Sequence, residues 1–317
     1  MNKKILITVL AIALTVGIAS AAFISYFGQV KMTVTVGQSV LLDGKDYTQM
    51  PIEEAAAVGG GETFCKPHYL ESQASVPVDL HFVTTFSPAL TDTEIVVTYS
   101  TEIIDGNTNF GSTDNELVAF PITSGLTLND LFAGGGFSYA YTIIDGGAFD
   151  GASPVIAVID LDDGRHVILY PGWGARTGAH TLTFSDTVAS DTGGNNLVDF
   201  TIYASDFAGG AQWSSNSEYG NWNYLKASGS STGGALPLTG TEVVTRIAIQ
   251  HQAANTGEID RLDSLTFNGQ TYEFDIVECT PFTLEPGQKL HFVICYSFDP
   301  LIQPDTYIIY STVEPAP

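Results

Sequence analysis

The stretch Pro154-Val-Ile-Ala-Val-Ile-Asp-Leu-Asp-Asp-Gly-Arg-His-Val-Ile-Leu-Tyr170 holds two apolar runs on either side of an Asp-Asp-Gly turn signal. This order is typical of a β-hairpin. Helical periodicity is scarce: Ile52–Val58 predicts a short helical turn and Leu126–Phe132 a brief 3₁₀ element. Short apolar runs bounded by Gly, Asn, Asp or Pro recur at 76–86, 94–99, 196–203, 243–249 and 290–298. The sequence therefore predicts an all-β fold of the sandwich or jelly-roll type.

The N-terminus has the three parts of a secretory signal peptide. Lys3-Lys4 precede an apolar run, Ile5–Ile18, and the small residues Ala19-Ser-Ala-Ala22 follow. This order predicts export to the cell surface or medium, with cleavage after Ala21. The alternative is an uncleaved membrane anchor, because Ile5–Ala22 is 18 residues long, near the lower limit for crossing a bilayer.

The chain is acidic, with 11 Lys and Arg against 35 Asp and Glu and a net charge of −24. Loss of the signal peptide removes two lysines and makes the charge more negative. Nucleic acid and anionic lipid are bound through basic patches, so the composition argues against both as partners. It favours solubility or the binding of divalent cations.

Three cysteines, Cys65, Cys279 and Cys295, fit an oxidising compartment with a single disulfide. The segments that contain Cys65 and Cys295 each begin with a Gly turn and continue into a strand. In Ig-like sandwiches such strands are usually antiparallel neighbours, so we expect Cys65 to pair with Cys295. Pairing of Cys65 with Cys279 is the alternative.

The composition changes along the chain and indicates a discontinuous domain. Residues 22–121 and 277–317 contain all three cysteines and eleven of the fourteen prolines, whereas 122–276 contains every tryptophan and most Gly-Gly and Gly-Ser loops. We therefore predict one β-sandwich formed by the two ends, with a second β-sandwich inserted at 122–276.

Several segments resemble the TasA/camelysin family of secreted fibre-forming proteins. The likeness rests on Ala19-Ser-Ala-Ala-Phe-Ile-Ser-Tyr-Phe27 at the cleavage site, Gly61-Glu-Thr, Pro77-Val-Asp-Leu-His-Phe-Val-Thr-Thr-Phe-Ser-Pro88 and Leu284-Glu-Pro-Gly-Gln-Lys-Leu-His-Phe292. It covers about 140 residues, none of them in 122–276, and it implies cleavage by a SipW-type peptidase.

The resemblance also implies assembly into extracellular filaments, in which the N-terminal segment of one subunit completes a sheet of the next. Lys31-Met-Thr-Val-Thr-Val36 alternates polar and apolar residues and can add to a sheet edge through backbone hydrogen bonds. The alternative is that this strand folds back into its own domain. The candidate assembly residues are Phe23, Ile24, Tyr26, Phe27, Met32, Val34 and Val36.

Residues 122–276 resemble a lectin-like jelly roll of the concanavalin or carbohydrate-binding-module kind. The likeness rests on Phe137-Ser-Tyr-Ala-Tyr141, the strand Val155–Leu161, the loop Trp213–Trp222 and the closing segment Ile259–Phe274. Aromatic rings on loops hold sugars by stacking, so Trp213, Tyr219 and Trp222 are candidate carbohydrate-binding residues. The alternative is that Trp173 and Trp222 fill the core.

Asp160, Asp162 and Asp163 are candidate calcium ligands, because calcium prefers several hard oxygen donors. The alternative interpretation is a hairpin turn at Asp162-Asp163-Gly164.

Catalytic motifs give little support for an enzyme. The histidines form no H-E-x-x-H, and Gly229-Ser-Ser-Thr-Gly233 matches G-x-S-x-G in a Ser/Gly loop rather than between a strand and a helix. The leading hypothesis is a non-catalytic filament or biofilm-matrix subunit that polymerises with itself. The alternative is a monomeric adhesin that binds cell-surface or matrix glycans, and a hydrolase is the third choice.

Overall fold

The computed structural model describes residues 40–45, 49, 52, 58–87, 94–104, 116–133, 136–146, 155–171, 177–192, 198–203, 212–215, 221–223, 226, 230–232, 238–251, 258–274, 276–302 and 308–317. Within these residues the chain is nearly all β, which confirms the predicted fold class. The jelly-roll detail stays a prediction. No helix among the described residues is long and apolar enough to cross a bilayer.

The strands are β1 (Val40–Leu42), β2 (Thr63–Ser72), β3 (Val78–Ser87), β4 (Ile95–Ser100), β5 (Glu102–Ile104), β6 (Glu116–Pro121), β7 (Phe137–Gly146), β8 (Val155–Leu161), β9 (His166–Pro171), β10 (Gly178–Phe184), β11 (Ala189–Asp191), β12 (Val198–Tyr203), β13 (Gln212–Ser215), β14 (Ser230–Thr232), β15 (Val244–His251), β16 (Glu258–Phe267), β17 (Gln270–Glu273), β18 (Phe282–Leu284), β19 (Lys289–Phe298) and β20 (Ile308–Pro315). A short helix, α1 (Leu128–Phe132), lies between β6 and β7.

The described strands form three antiparallel sheets. The large sheet has the order β1-β2-β19-β6-β15-β8-β9-β12-β13-β14, with β4 also paired to β19. The middle sheet has the order β11-β10-β7-β16-β17, with β5 beside β16, and the small sheet has the order β18-β3-β20. The main core contains side chains from all three sheets.

The hairpin predicted from the sequence is present as β8 and β9. Ala157 faces Leu169 and Asp160 faces His166 across the pair. Gly164 closes the turn with φ of 82°, a conformation that favours glycine. β8 is buried almost throughout, which agrees with its continuous apolar sequence, since strands covered on both faces lack alternation.

The small sheet packs on β2, β4 and β19 to form a sandwich around Phe82. Its ring lies 4.4 Å from Tyr99 and 4.9 Å from Phe292, measured between ring centroids. On the opposite face of the β2–β19 pair, Cys65 lies directly across from Cys295, and the two form a disulfide. The predicted pairing is therefore confirmed, and Cys279 is a free, exposed thiol.

The region predicted as a brief 3₁₀ element is the α-helix α1. Thr127 and Asp130 form a reciprocal capping box at its start, and Leu128, Leu131 and Phe132 are buried. The capping hydrogen bonds satisfy backbone N–H groups that the helix itself leaves without partners. Of the predicted turn at Ile52–Val58, the interior lies outside the described residues.

Strands from the predicted outer domain and from the middle region share hydrogen bonds. β6 pairs with β15 from Pro121 opposite Arg246 to Glu116 opposite Gln250, and it also meets β19 at Lys289. β5 pairs with β16 of the middle region. The large sheet is therefore continuous across the predicted boundary at residue 121, and the division into two domains stays a prediction.

Candidate functional site

The predicted assembly segment, residues 22–36, lies outside the described residues. A strand supplied by another chain needs a strand edge whose backbone N–H and C=O groups face away from its own sheet. The small sheet offers such an edge at β20, the longest terminal strand among the described sheets.

β20 pairs with β3 from Ile308 opposite Ser87 to Pro315 opposite Leu80. No described strand pairs with its other side. Two of its outward-facing side chains are apolar, and Ile308 and Tyr310 are each 49% exposed. An exposed strand edge with apolar side chains is a template for pairing with a further strand.

The inward-facing side chains of β20 hold the strand in place. Ser311 Oγ lies 3.0 Å from Tyr296 Oη, and Val313 packs against the main core. Burial raises the pKa of Tyr99, against the opposing effect of hydrogen bonds with Ser311 and Thr84, so its hydroxyl stays protonated and can donate. β20 is therefore held to the sandwich by its inner face while its edge is left open.

The C-terminal end of β20 is closed to pairing. Glu314 adds a charge, and Pro315 lacks an N–H. The Ala316 N–H donates to the Asp79 carbonyl of β3 over 2.9 Å, so residue 315 is the one whose backbone faces the open edge. The open part is therefore Ile308–Val313, which contains no charged side chain and is as long as Lys31–Val36.

The structure corrects one of the predicted carbohydrate residues. Trp222 is fully buried, with its ring 5.1 Å from that of Phe132 and its Nε1–H donating to Asn129 Oδ1 over 2.9 Å. A buried ring has no free face on which a sugar can stack, so Trp222 is a core residue, as the alternative interpretation proposed. Trp213 lies on β13, and Tyr219 lies outside the described residues.

The predicted calcium ligands do not converge. Asp160 contacts His166 Nδ1 over 2.7 Å and Arg246 Nη1 over 3.2 Å, and Asp163 accepts from Arg165 Nε over 2.7 Å. Despite some burial, the hydrogen bonds from Arg165 lower the pKa of Asp163. The described part of the chain contains no group of three or more His, Cys, Asp or Glu that could hold a metal ion. The residues form a hairpin with ion pairs instead of the predicted site.

The chain matches no protein-family model, no curated protein and no solved structure.

Two buried His–Asp pairs were not predicted from the sequence. His180 Nδ1 lies 3.3 Å from Asp191 Oδ1, and the His180 ring stacks on Tyr141. His251 Nδ1, on the large sheet, lies 2.5 Å from Asp260 Oδ2 on the middle sheet, although this contact lacks hydrogen-bond geometry. The four residues lie in four different strands, and none forms a recognisable motif with its sequence neighbours, so no local motif indicates the pairs.

The open edge of β20 also was not predicted. Its sequence Ile308-Ile-Tyr-Ser-Thr-Val313 indicates a strand, but not its position in a sheet. Only the order β18-β3-β20 makes it terminal.

Proposed function

We propose that this chain is a secreted structural subunit of an extracellular filament, in which residues 22–36 of one copy add to the β20 edge of the next. The mature subunit carries the middle region as a lectin-like domain on the filament surface. The observation that supports the proposal is the open, uncharged run Ile308–Val313 on a terminal strand that is fixed from its inner face.

The donor and acceptor segments are chemically compatible. Polar and apolar residues alternate in Lys31-Met-Thr-Val-Thr-Val36, so the Met and Val side chains all point to one face when this segment is extended. On β20, Ile308 and Tyr310 lie on one face. Each apolar cross-strand pair stabilises the sheet by about 0.2–1 kcal/mol in addition to the backbone hydrogen bonds. Burial of the Phe23, Ile24 and Phe27 side chains removes apolar surface from water and further favours binding of the segment.

The proposal is tested with the mature chain that begins at Ala22 and a shortened chain that begins at Gly37. Negative-stain electron microscopy and light scattering should show filaments of the first and monomers of the second. Polymers of both chains, or monomers of both at high concentration, would contradict the proposal.

A synthetic peptide of residues 22–36 separates loss of the donor from loss of the fold. The peptide should bind the shortened chain with one copy per monomer, and a peptide of the same composition in scrambled order should not. If the mature chain remains monomeric and the shortened chain still binds the peptide, the segment folds back within its own subunit and the filament proposal fails.

A further inference from the structure

Five titratable side chains lie buried between the large sheet and the middle sheet. His251 extends from β15 of the large sheet, and Asp260, Tyr141, His180 and Asp191 extend from β16, β7, β10 and β11 of the middle sheet. Each of the five is at most 2% exposed. Burial of ionisable groups opposes folding unless their charges are compensated, so the protonation of this cluster affects how well the two sheets pack.

The His251–Asp260 pair joins the two sheets. His251 Nδ1 lies 2.5 Å from Asp260 Oδ2, and neither side chain has a hydrogen-bond partner within the described part of the chain. The residues opposite them on the neighbouring strands β8 and β5 are apolar, Val155 beside His251 and Ile103 beside Asp260. The charge of each side chain is therefore compensated mainly by the other.

The other titratable groups of the cluster lie within the middle sheet. His180 Nδ1 lies 3.3 Å from Asp191 Oδ1, and Tyr141 Oη donates to Asp191 Oδ2 over 3.5 Å. Burial raises the pKa of Tyr141 and of its neighbour Tyr139, so both phenols stay protonated and add no charge. Charged groups nearby on β15 and β16 form ion pairs of their own: Arg246 with Glu116, and Arg261 with Asp263.

The His251–Asp260 pair is neutral in total when it contains one proton, on the imidazole or on the carboxyl group. Loss of that proton leaves a buried carboxylate beside a neutral imidazole, which is strongly unfavourable. Burial raises the pKa of Asp260 despite the opposing effects of His251 and His180, in agreement with a proton retained in the core. In water a free imidazole releases its proton at about pH 6.5 and a free carboxyl group at about pH 4. Above about pH 6.5 the unfolded chain has therefore lost a proton that the folded core retains, and stability falls as pH rises.

We propose that the His251–Asp260 pair is a pH-sensitive contact, which keeps the middle sheet packed on the large sheet while it holds its proton and loosens this packing in alkaline medium. The proposal is independent of filament assembly, because none of the five residues belongs to β20.

Hydrogen exchange of the mature protein tests the proposal, followed by mass spectrometry at about pH 6 and about pH 9 and corrected for intrinsic exchange rates. Protection of the amides of β7 and β16 should fall at least about ten-fold at the higher pH, whereas protection of β3 in the small sheet should stay constant. Constant protection of β7 and β16 would overturn the proposal. An equal fall in β3 would also overturn it, because it would indicate unfolding of the whole protein.

Two carboxylate variants locate the effect. Asp260→Asn removes the titrating carboxyl group with little change of shape, and it should reduce the fall in protection to less than about three-fold. Asp160→Asn is the matched control, because Asp160 also pairs with a histidine, His166, over 2.7 Å, but with 23% of its side chain exposed. An equal fall in the wild type and Asp260→Asn, or loss of the fall in both variants, would overturn the assignment. Circular dichroism shows whether the variants are folded, and if Asp260→Asn is unfolded the wild-type exchange at the two pH values decides.

Discussion

Cys65 and Cys295 are 230 residues apart in sequence and lie opposite each other on neighbouring strands β2 and β19. Their disulfide ties β2 to β19, two strands that lie on either side of residues 122–276 in the sequence. A cross-link over so long a segment removes much conformational freedom from the unfolded chain.

We expect Cys65→Ser to lower the free energy of unfolding by about 2–5 kcal/mol. Urea denaturation followed by circular dichroism measures this change. Cys279→Ser is the control and should leave stability nearly unchanged, because Cys279 is exposed and outside the disulfide. Equal stability of Cys65→Ser and the wild type under oxidising conditions would contradict the prediction.

Truncation of the buried indole of Trp222 should destabilise the protein. We expect Trp222→Ala to lower the free energy of unfolding by about 3–5 kcal/mol, because it leaves a cavity beside Phe132 and removes the donor to Asn129. Trp222→Phe should cost less, since much of the volume remains. A wild-type denaturation midpoint in Trp222→Ala would show that the ring is not buried.

The buried Asp260 should make stability depend on pH. Burial raises the pKa of Asp260, against the opposing effect of His251 and His180, so the folded state binds this proton more tightly than the unfolded state does. The stability from this group is therefore complete below the unfolded pKa and is lost as pH rises through the raised folded pKa. Between pH 4 and pH 7 the wild type should lose more stability than Asp260→Asn, measured by urea denaturation at each pH. Parallel pH profiles of the two proteins would contradict this prediction.

A charge on the open edge should block strand addition without unfolding the subunit. Tyr310 is exposed on β20, so Tyr310→Lys places an ammonium group beside the open edge. A lysine on an edge strand opposes the addition of a further strand to that edge. We expect filaments to be lost while the monomer changes in stability by less than about 0.5 kcal/mol. Val188→Lys is the matched control, because Val188 is 43% exposed but lies between β10 and β11 of the middle sheet. Normal filaments of Tyr310→Lys in electron microscopy would rule out β20 as the acceptor.

Local sequence determined the elements of the fold. The apolar run Val155–Leu161 and the Asp-Asp-Gly turn after it were sufficient to predict β8, its turn and β9, because strand pattern and turn chemistry act between near neighbours. The pairing of Cys65 with Cys295 was also predictable, since two similar Gly-to-strand segments placed them on adjacent strands.

The tertiary structure alone decided which surfaces are available. Trp222 follows a Gly- and Ser-rich segment typical of exposed loops, yet packing against Phe132 buries it. Asp160 faces Arg246, 86 residues away, instead of joining Asp162 and Asp163 around a cation. β20 offers an open edge because of its place beside β3. These outcomes depend on contacts between parts of the chain that are distant in sequence. A local sequence pattern does not specify which strands become neighbours, nor which side chains the assembled sheets bury.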